Sequence, residues 1–298
     1  MAKGSDKLSP ETVVEDIHKL LQEVIEGRTI DIPEEYINQF KENVASAIVR
    51  QLTPRTSDRK EKVLYFSEVG KPCARALWYD HNECEKEALH PDNLTKFMYG
   101  DILEEFLILL VKLSGHKVTD EQKQVQLPLH DGWVLRGRID FKIDDVLVDA
   151  KSASSFAFKK FSEGKLVEND PFGYMAQLAC YTEAEGSEGS PGFLVIDKQH
   201  GKIVLHQPSK RDLENAVPCG QMLVSVIEAP EPPDRLYLDQ PYGKSGNRTL
   251  GIECSFCNKK KECWKDANNG KGLRSFKYSD GRVIHLTDIT REPRIEEL

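Results

Sequence analysis

Two aspartates and a lysine are placed where they could hold a cation. Asp140 lies in Gly137-Arg138-Ile139-Asp140, and Asp149-Ala150-Lys151 follows shortly after it. Reading Trp133 to Ile143 and Val146 to Lys151 as strands, with Asp144-Asp145 as a two-residue turn, sets Ile143 against Val146, Phe141 against Val148 and Ile139 against Ala150. That side of the ribbon is wholly apolar and reads as core. Alternation then sets Asp140 opposite Asp149 on the other side, with Lys151 and Arg138 one step further along. Directly opposed side chains have Cβ atoms about 5 Å apart. Carboxylates that close repel unless a cation lies between them, and the lysine adds positive charge at the edge of the same face. The alternative is a solvated polar face on a half-buried hairpin.

Other residues carry further chemistry. In the helical stretch Gly100-Asp101-Ile102-Leu103-Glu104-Glu105-Phe106, a projection at about 100° per residue places Glu104 beside the stripe of Leu103, Leu107 and Leu110, whereas Glu105 points away. A carboxylate at the rim of a buried helix needs a partner, which could be a cap, a salt bridge or the same metal. Gln177 and Tyr181, four apart, share a helix face. Cys254, Cys257 and Cys263 form a thiolate site short of one ligand, with Cys73 as the candidate fourth; structural zinc and an iron–sulfur cluster both suit such a set. Gly243-Lys244-Ser245 suggests a phosphate loop, but Leu238 stands where that loop needs glycine.

These groups need a scaffold, and the apolar periodicity supplies an α/β one. Amphipathic helices are expected over Pro10–Glu26 and Pro33–Leu52, then a charged linker over Thr53–Lys62 and a helix near Leu94–Leu113. Strands near Gln124–Pro128, Trp133–Ile143 and Val146–Lys151 follow, with helices near Ser155–Ser162 and Tyr174–Glu185. Strands at Gly192–Ile196 and Lys202–His206, a helix over Lys210–Ile227 and a proline-punctuated connector over Pro230–Pro241 complete the order. It implies a mixed sheet flanked by helices. The 298 residues carry a net charge of −8, the wrong sign for coating nucleic acid by bulk attraction. That charge still allows a nucleic-acid enzyme, since carboxylates gathered for a metal add negative charge and basic patches such as Lys259-Lys260-Lys261 remain. No apolar run approaches a membrane span and no signal-peptide pattern is visible, so a cytoplasmic protein without membrane contact is expected, in the host cytoplasm if phage-encoded. Seven cysteines, an odd number, favour metal-binding or free thiols over a disulfide framework.

Taken in order, Ser67-x5-Cys73-x-Arg75-x2-Trp78-Tyr79, Gly100-x3-Glu104, Gly137-Arg138-Ile139-Asp140, Asp149-Ala150-Lys151, Gln177-x3-Tyr181 and the Cys254/Cys257/Cys263 set resemble RecB-type nucleases of the PD-(D/E)xK superfamily. In particular the chain looks like the iron–sulfur branch, which includes CRISPR-adaptation exonucleases and related stand-alone recombination exonucleases of phages. The match runs from about Ser67 to Trp264. It implies a restriction-endonuclease-like core in which Glu104, Asp140, Asp149 and the Ala150 carbonyl bind Mg²⁺ or Mn²⁺ and Lys151 orients or deprotonates water. Gln177, Tyr181 and Arg138 would meet the substrate, and Cys73, Cys254, Cys257 and Cys263 would hold a [4Fe–4S] cluster. Many relatives have histidine where Glu104 stands, which leaves one or two metals open, and glutamate where Asp149 stands.

The organisation this implies is an N-terminal helical segment and linker over residues 1–62, a nuclease core over 63–250 and an iron–sulfur segment over 251–298. The expected activity is metal-dependent hydrolysis of DNA from single strands or ends, in recombination, repair or replication, with a recombination or single-strand-binding protein as a possible partner. A structure-selective endonuclease or nickase on the same fold, and a non-catalytic DNA-binding assembly module, are the alternatives.

Overall fold

The computed structural model describes residues 8–54, 61–82, 84–85, 87–88, 90–186 and 189–298. Part of the expected linker, residues 55–60, therefore lies outside the described residues. In chain order the elements are α1 (Val13–Ile25), α2 (Glu34–Leu52), β1 (Val63–Tyr65), α3 (Phe66–Val69), α4 (Ala74–His81), α5 (Pro91–Leu113), β2 (Val118–Thr119), β3 (Gln124–Pro128), β4 (Val134–Arg138) and β5 (Phe141–Ile143). They continue with β6 (Val146–Ala153), α6 (Ser155–Ser162), α7 (Tyr174–Glu185), β7 (Gly192–Asp197), β8 (Ile203–His206) and α8 (Ala216–Ile227). The last part holds β9 (Gln240–Pro241), β10 (Arg248–Thr249), the helical turns α9 (Ile252–Ser255), α10 (Lys260–Cys263) and α11 (Ala267–Gly270), then β11 (Arg274–Lys277), β12 (Val283–Asp288) and β13 (Glu296–Glu297). This is a mixed α/β protein. Among the described residues no helix is long and apolar enough to cross a membrane.

The chain divides into two compact units, the first running up to Pro72 and from Pro91 to Met222, the second taking Cys73–His90 and Leu223–Leu298. The first holds a sheet of order β2-β5-β6-β7-β8 and a smaller one of order β1-β4-β3. In the five-stranded sheet β6 and β7 pair in parallel, which requires a crossover, and α6 and α7 supply it. Their partners β5 and β8 run antiparallel to them. β7 is buried along its whole length, so Gly192-Phe-Leu-Val-Ile-Asp197 reads as a continuous run rather than an alternation.

The core of this unit gathers Phe141, Ile143, Val148 and Ala150 from the hairpin with Leu107, Ile108, Leu110 and Val111 of α5 and Val13 and Ile17 of α1. Fully burying a side chain the size of Phe141 or Val148 contributes roughly 1.5–3 kcal/mol. Helix α2 lies along α5, where Asn43 Nδ2 donates to Glu105 Oε2 at 2.9 Å and Lys112 Nζ donates to Gln39 Oε1 at 2.7 Å. The helices of the expected N-terminal segment thus share the first unit with the sheets. Glu105 was expected to point away; it does point away from the sheet, but α2 covers that flank, so Glu105 is buried and its carboxyl is raised by burial.

The hairpin register is the expected one, Phe141 against Val148 and Ile143 against Val146. Asp144 (φ 49°) and Asp145 (φ 70°) both take the left-handed conformation that a two-residue type I′ turn demands. The long strand expected over Trp133–Ile143 is instead broken at Ile139-Asp140, so β4 joins the three-stranded sheet and β5 the five-stranded one. Two backbone bonds hold the break: Gln122 N–H donates to Asp140 O at 2.9 Å and Ile139 N–H to Lys123 O at 3.0 Å. The helix expected over Lys210–Ile227 is likewise interrupted, a 3₁₀ turn at Lys210–Asp212 ending before α8 begins.

The second unit holds a five-stranded sheet, β13-β11-β12-β10-β9, in the region read from sequence only as a cysteine-bearing tail. Leu250, Trp264 and Ala267 form its small apolar centre, with Cys254 and Cys263 packed against them.

One close approach fixes the start of α7. Gly173 takes φ 74° and sits so near Gly70 that a Cβ on it would lie 2.3 Å from the Gly70 carbonyl carbon. Gly173→Ala combines a left-handed non-glycine residue with a backbone clash, and should cost about 2–4 kcal/mol. Urea denaturation against wild type measures this; a midpoint unchanged by Gly173→Ala would show that the two segments are not pressed together.

Candidate functional site

The break at Asp140 turns its carboxylate toward β6. Asp140 Oδ2 accepts the Ala150 N–H at 2.8 Å, so the aspartate reaches the residue next to Asp149 rather than forming the expected cross-strand pair with it. Burial pushes the Asp140 carboxyl well above its ordinary range, and the charges of Glu104 and Asp149 push in the same direction, against a smaller pull from Lys151. Asp149, from the middle of β6, is 3% exposed. Its Oδ2 is in ion-pair contact with Lys151 Nζ.

Lys151 Nζ also donates to the Ala150 carbonyl at 3.2 Å and lies 5.4 Å from the centre of the Tyr174 ring. Burial works against the ammonium, yet Asp149 and Asp140 outweigh it and hold the Lys151 pKa above its ordinary value. The lysine is therefore a fixed cation here. It can orient a group or stabilise negative charge.

Glu104 comes from α5, and its Oε1 accepts from Gln122 Nε2 at 2.9 Å. Burial raises its carboxyl to about 7; Lys151 opposes the rise, and Asp149 and Glu105 add to it. Gln122, at φ 57°, thus binds Glu104 through its side chain and Asp140 through its backbone, tying two of the carboxylates to one loop. Sequence reading missed it, because a glutamine at positive φ leaves no compositional mark. Tyr174 was legible in principle, since it shares the helix face of Gln177 and Tyr181 at spacings of three and seven.

Gln177 Nε2 donates to Tyr181 Oη at 2.9 Å. The Tyr181 ring meets Phe66 edge-on at 5.2 Å, and its hydroxyl is raised by burial and then by Asp149 and Asp140, which places this pair on the carboxylates' flank. Gly137 makes room for the packing: a Cβ there would lie 2.3 Å from the Phe66 ring and 2.9 Å from that of Tyr181. Arg138 is exposed at the end of β4 and lines a small recess of about 90 Å³ with Glu104 and Gln122. A larger cleft of about 450 Å³ opens beside it, lined by Glu104, Ala150, Lys151, Ser152 and Tyr174 together with Lys96, Phe97 and Asp101 of α5.

One feature of the donor set bears on a divalent cation: three carboxylates, Glu104 and Asp140 half-buried and Asp149 buried, face one ammonium, leaving an excess of negative charge. Among the described residues no three His, Cys, Asp or Glu side chains converge at coordination spacing, and Lys151 contacts two of the oxygens expected to ligate, Asp149 Oδ2 and Ala150 O.

The four expected cluster cysteines all fall in the second unit, Cys73 just before α4, Cys254 and Cys263 on α9 and α10, and Cys257 between them. Burial raises the Cys254 thiol to about 11, and Cys263, Cys257 and Cys73 each add to the rise. Burial likewise raises Cys257, with further contributions from Cys73 and Cys263. Cys84 is raised by burial and by Glu262, with no thiol acting on it. Cys180 sits buried in α7 and is pushed up to about 12 by burial, and Cys219 meets Glu214. Cys73 and Cys263 thus act on both Cys254 and Cys257, although among the described residues no three of these thiols converge at coordination spacing.

No family model matches the chain, and no curated protein does. Among solved structures it is similar to the crystal structure of SSO0001, at 14% identity and a TM-score of 0.43, over 74% of this chain and 92% of that one. What the site can do follows from its own groups.

The raised carboxyls link stability to pH. For Glu104 the folded value, about 7, exceeds the ordinary 4.5, so its contribution is fully present below about 4.5 and lost as pH rises through about 7. The metal-free protein should lose up to about 3 kcal/mol from this group between those limits. Calorimetry should find the melting temperature falling over that window, a shallower fall for Glu104→Gln, and a larger rise on adding Mn²⁺ at pH 8 than at pH 5. A melting temperature indifferent to Mn²⁺ at both pH values would count against a cation at these carboxylates.

Proposed function

We propose that this chain is a metal-dependent DNA nuclease of the RecB type in the PD-(D/E)xK superfamily, acting on single strands or ends. One observation carries the reading: Glu104, Asp140 and Asp149 share one field with the cationic Lys151 at the side of a cleft. Glu104, Asp140, Asp149 and the Ala150 carbonyl would hold Mg²⁺ or Mn²⁺, which supplies a Lewis acid on the phosphoryl oxygen and lowers the pKa of water. Lys151 would orient or deprotonate the attacking water, and its charge would stabilise that developing on the phosphoryl group. Gln122 fixes Glu104, and the Ala150 N–H fixes Asp140, so the carboxylates need little rearrangement. Gln177 and Tyr181 border the same group and Arg138 stands at its exposed edge, where a phosphate backbone would pass. Cys73, Cys254, Cys257 and Cys263 would bind a [4Fe–4S] cluster that fastens α4 to the turns α9 and α10, a role in stability rather than in hydrolysis.

The decisive measurement is degradation of end-labelled linear and circular single-stranded DNA with Mn²⁺. Linear DNA should disappear and circles survive; loss of circles would favour an endonuclease. Asp140→Asn keeps an acceptor for the Ala150 N–H while removing the charge, so it should abolish cleavage in a protein that still melts cooperatively. Lys151→Ala should lower kcat by at least about a hundredfold with little change in DNA affinity. Cleavage by Asp140→Asn in a preparation free of contaminating nuclease would remove the assignment.

Purified without air, the protein should be brown and contain iron and sulfide. Serine at Cys73, Cys254, Cys257 or Cys263 should bleach it, and serine at Cys84, Cys180 or Cys219 should not. A colourless protein with one equivalent of zinc would replace iron without changing the ligands, and bleaching by Cys84→Ser in place of Cys73→Ser would change the ligands themselves.

A further inference from the structure

Phe172, just ahead of α7, is 63% exposed, and its ring stacks on that of Tyr174 with centres 5.4 Å apart and planes 29° from parallel. A single exposed phenylalanine is ordinary on a protein surface. This one continues inward. Tyr174 is braced from behind by Phe161 and Phe193, at 6.1 and 6.3 Å between ring centres. It lines the cleft beside Glu104 and carries Lys151 Nζ 5.4 Å from its centre. A line of aromatic and cationic groups therefore runs from solvent to the carboxylates: Phe172, Tyr174, Lys151, Asp149. Helix α5 adds Lys96 and the half-exposed Phe97 to the same cleft.

The pattern has a chemical meaning. A flat ring with one face covered and the other open accepts another flat ring, and a lysine beyond it accepts an anion. A nucleotide presents both, a base followed by a phosphate, and base stacking tolerates every sequence because each base has a π-face. Inside a duplex those faces are covered by neighbouring bases, so away from an end only an unpaired base can occupy such a step. An apolar protein segment would satisfy the rings but would gain nothing from the lysines or from the carboxylates behind them.

We propose that Phe172 on Tyr174 is a base-stacking step that receives an unpaired nucleobase beside the phosphate to be cleaved, and that it makes single-stranded DNA the preferred substrate. This rests on the reading of the cleft as a DNA-hydrolysing site. Phe172 is a positioning residue for the strand; it touches none of the carboxylates.

The test uses the full chain with Mn²⁺ and labelled DNA. Phe172→Ala should raise KM for single-stranded DNA about tenfold with kcat little changed, the usual scale for losing one stacked base. Phe172→Trp should retain wild-type KM and Phe172→Leu should behave like Phe172→Ala. A strand whose terminal nucleotides are abasic should be a poor substrate for wild type, and Phe172→Ala should weaken it no further. An unchanged KM for Phe172→Ala, a Phe172→Leu as good as Phe172→Trp, or an undiminished Phe172→Ala effect on the abasic strand would each overturn the proposal. Quenching of a terminal 2-aminopurine, followed with Ca²⁺ in place of Mn²⁺, separates the two readings. Wild type that quenches the base but cleaves nothing would overturn hydrolysis and leave the stacking step standing; wild type that neither quenches nor cleaves would overturn both.

Discussion

An excess of carboxylate over ammonium at a half-buried site is the constraint around which the first unit is arranged. Glu104, Asp140 and Asp149 lie within one another's field and the Lys151 ammonium opposes them from inside the group. Buried like charges cost several kcal/mol unless they protonate, pair or bind a cation. The surroundings meet part of that cost with directed hydrogen bonds, Gln122 to Glu104 and the Ala150 N–H to Asp140. What is left unmet is the charge itself, and the site's chemistry follows from it.

The broken strand shows how backbone geometry serves that end. An unbroken Trp133–Ile143 strand would have aimed Asp140 straight across at Asp149 with all its backbone groups in ladders. The break hands the ladder to two sheets instead, and the loop through Gln122 and Lys123 takes up the exposed groups at Ile139 and Asp140. Asp140 thereby reaches along β6 rather than across it.

Period and turn chemistry were legible because they are local. The Asp144-Asp145 turn, the apolar face of Phe141, Ile143, Val148 and Ala150, and α6 and α7 at their observed limits all came from the sequence pattern. The pattern also pointed to Glu104, Asp140, Asp149 and Lys151, and the structure brings these into one group. What escaped was set by residues distant in sequence. The Ile139-Asp140 break depends on bonds from the loop at Gln122 and Lys123. The burial of Glu105 depends on Asn43 of α2. Three of the five strands in the second unit's sheet are two residues long, too short for any period to register.

Helix α1 sets the order in which the first unit can close. Val13 and Ile17 share a core with Ile203 of β8, about as far apart along the chain as two contacts in this unit can be. About 190 residues must therefore follow Val13 out of the ribosome before α1 finds its seat, and until then an apolar helix face and an unpaired edge of β7 stay open to other chains. Contacts of such long separation form late and slowly, since loop closure must precede them. A chaperone that covered the apolar face of α1 during synthesis would act on the contact that loop closure makes most costly.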